Sequence, residues 1–86
     1  MDINQLISIV KNKIKKNILV EDVVVQDKTF LHKNHASHNK TKFHLKLIIQ
    51  SLELKKMNKI ESTKKVYNVL NKEMRGHIHS IQILIS

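Results

Sequence analysis

The spacing of hydrophobic residues changes repeatedly along this chain, and each change marks an element. Ile3, Leu6, Ile7, Val10 and Ile14 recur at intervals of three and four, the stripe of an amphipathic helix over Ile3–Lys16. Asp2, with Gln5 three positions on, supplies the matching capping box, and Lys11, Lys13, Lys15 and Lys16 load the end where cations suit the helix dipole. Residues 19–27 hold three adjacent valines and read as a strand, most securely over Val23–Asp27. Phe43, Leu45, Leu47 and Ile49 then alternate with His44, Lys46 and Ile48, which predicts a second strand over Phe43–Ile49 with His44 on its solvent side. Ser51–Leu54 reads as a short helical turn.

Asn58 and Glu61 repeat the cap-plus-three pattern and open a second long helix. Ile60, Val66, Tyr67, Leu70 and Met74 form its expected buried stripe, with Lys59, Lys64, Lys65 and Lys72 facing out. Gly76, the sole glycine, follows where a left-handed residue would close that helix. The tail from His77 to Ser86 places His79, Ile81, Ile83 and Ile85 on one parity, a third strand in which alternation sends His77 and His79 to the same side.

The expected order is therefore α-β-β-α-α-β, an α+β fold forming one domain over residues 1–86. Its first two strands pair antiparallel. The strand–helix–strand passage returns the last strand to the same sheet. Helices then cover one face of a three-stranded mixed sheet.

One stretch fits neither period. Between Lys28 and Thr41 the chain is polar and lysine-rich, and it places His32, His35 and His38 three residues apart. Hairpin loops usually span about two to five residues, so the extra length demands a reason. Imidazole is the commonest neutral metal ligand, and such spacing lets a loop converge on one ion, although solvated surface histidines have the same spacing. Without any cysteine, the chain holds neither a disulfide nor a self-contained thiolate site for zinc or an iron–sulfur cluster. Histidines can replace thiolates on one iron of a cluster, so a cluster here needs a thiol-bearing partner. Zinc or copper on a loop histidine and a strand histidine is a further option.

The formal charge of +9 favours acidic partners, nucleic acid among them. Its lysines are nevertheless spread along every segment, and Arg75 is the only arginine, where specific phosphate and base readers favour the guanidinium fork. A nucleic-acid surface would draw on Lys55, Lys56, Lys59, Lys64 and Lys65. The seven carboxylates form no acid/base pair beside an obvious cleft, and there is no glycine-rich phosphate loop or nucleophile elbow, so no enzyme is expected. No apolar run approaches the roughly 20 residues of a membrane span, and the acidic start carries no secretory signature. A soluble cytoplasmic protein without membrane contacts is the expectation.

Several motifs, in order and at matching spacing, resemble the BolA family. They are Asp27-x-Thr29, the loop HKNHASHN, Phe43-His-Leu-Lys-Leu, Ser51-x-x-Leu54, Ile60, Val66-Tyr67-x-x-Leu70, Glu73-Met74 and, above all, Ile78-His79-Ser80. The resemblance covers about Val23 to Ile85. It implies a KH-like fold and a non-enzymatic partner of monothiol glutaredoxins that shares a [2Fe–2S] cluster in iron trafficking or regulation, with glutathione supplied alongside the glutaredoxin and no cluster held by the isolated chain. The family's C-terminal histidine ligand corresponds to His79 and its loop ligand to His32 or His35. Some relatives are implied to act as DNA-binding transcriptional regulators, the alternative partner being DNA. Where the family carries Arg-His-Arg at the start of the long helix, this chain has Ser62-Thr63-Lys64, and Lys56 replaces a glycine, which weakens that alternative.

Overall fold

Both reciprocal bonds of the capping box form at the start of the first helix. Asp2 Oδ1 accepts the Gln5 N–H at 2.8 Å and Gln5 Oε1 accepts the Asp2 N–H at 3.1 Å, satisfying donors that a helix end otherwise leaves to solvent. The computed structural model describes residues 2–29 and 43–86. The first helix, α1, runs Ile3–Asn17 and buries Leu6, Val10 and Ile14, one residue per turn. Ile18 ends it in an extended conformation, with its side chain still in the core.

Three strands follow the expected pairing. Strand β1 (Asp22–Asp27) lies antiparallel to β2 (Phe43–Gln50), which lies parallel to β3 (Ile78–Ile85), in the order β1-β2-β3. The first strand starts later than its valine-rich sequence suggests. Leu19 is exposed, its N–H donates to Glu53 Oε2 at 3.0 Å and its carbonyl accepts from Ser51 Oγ at 2.8 Å, so the chain docks on the next connection before it joins the sheet. Across the ladder Val25, Leu47 and Ile83 stand in one row and Val23, Ile49 and Ile85 in the next. These rows form the core face, which packs with Leu6, Val10 and Ile14 of α1 and with residues of the helices that follow. The opposite face carries Val24, Ile48 and Leu84.

Between β2 and β3 come α2 (Leu52–Lys55), α3 (Lys59–Val69) and α4 (Asn71–Gly76). Ser51 and Asn58 cap the first two of these through Leu54 N–H and Glu61 N–H, the second as the sequence suggests. The expected single long helix is instead two, divided at Leu70, whose ψ of 14° takes it out of helical geometry while its side chain stays fully buried. The buried stripe also differs. Ile60 is 70% exposed and Tyr67 38%, whereas Ser62, Val66 and Leu70 point inward. Positions 62, 66 and 70 are a helical row of their own, and the small Ser62 enters it at little cost because its hydroxyl donates to the Lys59 carbonyl at 3.1 Å.

Gly76 does not close the helix in a left-handed conformation. No glycine among the described residues has positive φ, Gly76 is the last residue of α4, and His77 caps it with φ of −132° while donating its N–H to the Glu73 carbonyl at 2.8 Å. His77 thus ends the helix with no residue in the left-handed region.

Candidate metal centre

Ile78 and Ile81 both turn toward the core, an odd spacing that regular alternation forbids. The ladder resolves it with a bulge. Phe43 is opposite Ile78, but His44 is opposite Ser80, leaving His79 as the extra residue on β3. Without the bulge, Ser80 would face the core and Ile81, Ile83 and Ile85 would face away from it. The shared parity of His79 with these isoleucines is thus broken between them: they pack inward and His79 is exposed.

His44 occupies the outer face, as alternation suggests, but is not solvated there. It is 8% exposed. Its ring centroid lies 4.8 Å from that of His79, with the planes tilted by 49°, and its Nδ1 is 2.6 Å from Ser80 Oγ. The backbone of His44 is held as well. Its carbonyl accepts the Lys28 N–H at 2.7 Å, and its N–H donates to Thr29 Oγ1 at 3.2 Å. Asp27 Oδ1 in turn accepts from the Thr29 N–H and hydroxyl, so the Asp27-x-Thr29 motif is a side-chain-closed turn fastened to the second strand.

His32 and His35, as well as His38, lie outside the described residues. The residues that flank that segment are described on both sides. It leaves from Thr29, bonded to His44, and returns at Phe43, whose N–H donates to the His77 carbonyl at 2.9 Å. Both ends therefore sit at the corner of the sheet that carries His79. His77 is half-buried and precedes β3 as the cap of α4 rather than lying within the strand beside His79.

Among the described residues no group of three or more histidine, cysteine or carboxylate side chains is arranged to hold a metal ion. His79 fits as a donor to a metal centre completed from elsewhere, because an exposed imidazole is open to a ligand that spans two molecules. The signal for its setting was present in the sequence as the three-residue step from Ile78 to Ile81. The buried His44–Ser80 pair had no such signal, since alternation alone assigns His44 to solvent.

The candidate nucleic-acid lysines lie on the helical side of the molecule. Lys55, Lys56, Lys59 and Lys64 are exposed, while Lys65 is half-buried and pairs with Glu53 at 3.3 Å. Among the described residues no helix is long and apolar enough to cross a membrane.

A three-stranded mixed sheet backed by helices, with a histidine displayed at a bulge in its last strand, defines a small α+β class of domain. Residues 14–86 match the family model for BolA-like protein, and the chain belongs to that family. The DNA-binding transcriptional regulator BolA of Haemophilus influenzae is 25% identical over 75 residues, 87% of this chain and 70% of that protein. Among solved structures, the BolA domain of SufE1 from Arabidopsis thaliana superposes with a TM-score of 0.82 at 19% identity, covering 99% of this chain and 94% of that one. BolA1 from Arabidopsis thaliana gives 0.76 at 23% identity, covering 93% and 88%. These likenesses establish the fold.

Proposed function

We propose that this protein is a non-enzymatic partner of a monothiol glutaredoxin, and that together they hold a [2Fe–2S] cluster for iron–sulfur trafficking or iron regulation. His79 supplies one ligand and His32 or His35 the second, with the glutaredoxin thiolate and glutathione completing the set. The cluster itself supplies the redox and transfer chemistry, and the chain contributes imidazole donors that thiolates alone would not provide. The observation that carries the reading is the corner geometry. His79 is exposed at the bulge, and the segment bearing His32 and His35 departs from and returns to residues bonded at that same corner.

Adding the protein to a cluster-loaded monothiol glutaredoxin should convert the visible absorption and circular dichroism of the glutaredoxin homodimer to a distinct spectrum. His79→Ala should prevent the conversion. An identical spectrum with the variant would refute the ligand assignment.

A second reading, a DNA-binding regulator, is favoured by the likeness to the Haemophilus influenzae DNA-binding transcriptional regulator and by the exposed Lys55, Lys56, Lys59 and Lys64. It requires a sequence preference that survives physiological salt, since a +9 chain adheres to any polyanion at low salt.

A further inference from the structure

An exposed histidine on a strand samples several rotamers, and ordering it on ligation opposes binding. The bulge sets two residues, His79 and Ser80, against the single His44. One meets the His44 ring and the other its Nδ1. Building on the reading of His79 as a shared-cluster ligand, we propose that His44 and Ser80 are positioning residues that hold the His79 imidazole in one orientation before any partner arrives. The Ser80 hydroxyl fixes the tilt of the His44 ring, the Lys28 and Thr29 bonds fix its backbone, and the buried ring gives His79 a rigid wall to lie against. Aromatic rings favour such offset or tilted contacts over face-to-face stacking, and metal-bound imidazoles are oriented by the groups around them.

Ser80 is the residue to vary because it is exposed and its hydroxyl is removable without a cavity in the core. In the isolated protein, three-bond carbon and nitrogen couplings to His79 Cγ should report one χ1 rotamer. Ser80→Ala should average them, and Ser80→Thr, which keeps the hydroxyl, should restore them, with all three proteins compared well below the start of their urea transitions. In the complex with glutaredoxin, Ser80→Ala should lose cluster to a chelator about 10–100-fold faster than wild type, the usual range for removing an outer-shell partner, and Ser80→Thr should not. Couplings at His79 that are the same in Ser80→Ala as in wild type would overturn the proposal. Should His79→Ala leave the cluster spectrum intact, the ligand reading fails by itself, and the couplings still decide whether His44 and Ser80 orient the ring.

Discussion

Lys13 of the first helix and Glu73 of the last meet at 2.7 Å, joining elements sixty positions apart in sequence. The glutamate is the buried partner, 5% exposed; its Oε2 carries the ion pair, and its Oε1 has no hydrogen-bond partner among the described residues. Removing the lysine would leave a buried carboxylate with nothing to compensate it, and that is the costly way to break such a pair. Because the lysine is about one-third exposed, water can partly replace it. Lys13→Met should therefore cost about 1–3 kcal/mol in urea unfolding. Glu73→Gln should cost less, since a neutral amide tolerates the site better. Equal midpoints for wild type and Lys13→Met would show that the pair contributes nothing.

The helical stripe gives a sharper comparison. Leu70 is fully buried, and Leu70→Ala should cost about 2–5 kcal/mol, the range for core truncations of this size. Ile60→Ala, equal in apolar loss on a sequence basis, should fall within about 0.5 kcal/mol of wild type because its side chain is mostly in water. Chemical denaturation of the two variants side by side decides this. A large loss at Ile60 would place it in the core.

Those two residues also show how far the sequence could be read. Period-two and period-three-to-four patterns, with the valine run of the first strand, identified the strands among the described residues and the fold class, because burial on one face of a sheet or helix imposes those periods. They failed where two stripes on one helix competed. Ile60 and Tyr67 look more apolar than Ser62, yet a hydrophobicity pattern does not register that Ser62 satisfies its own hydroxyl locally. At the candidate site, His79 was legible as a strand residue, but the isoleucines that share its parity reach the core only through a bulge, and the burial of His44 depends on contacts 36 positions away. Such long-range pairing leaves no local trace.

Gly76 tests the revised helix end. With ordinary backbone angles and nothing within 4 Å of where a Cβ would stand, it has neither a conformational nor a steric need to be glycine. Gly76→Ala should stabilise the protein by about 0.5–1 kcal/mol through lower backbone entropy in the unfolded chain. Destabilisation on thermal melting would mean that the left-handed cap expected from sequence is the real one.

The lysines separate the two functional readings. If DNA is bound through the helical side, each phosphate-contacting lysine contributes about 0.9 to the slope of log affinity against log salt. Lys64→Gln should lower that slope by about 1, whereas Lys65→Gln should lower it less because Glu53 already pairs with Lys65. Equal effects would mean that the Glu53 pair breaks on binding, and no effect at either would remove α3 from any DNA interface.

The choice between His32 and His35 is open to the same substitution logic as His79. A cluster with one ligand from the last strand and one from the segment between β1 and β2 needs a single imidazole from that segment. Hence one of His32→Ala and His35→Ala should reproduce the spectral loss of His79→Ala, and the other should retain the heterocomplex spectrum. The double variant should be no worse than the more damaging single one, because the other histidine holds no ligand position that its loss could vacate. If both single variants keep the wild-type spectrum while the double variant loses it, the two histidines substitute for each other. If even the double variant keeps it, neither His32 nor His35 is a ligand.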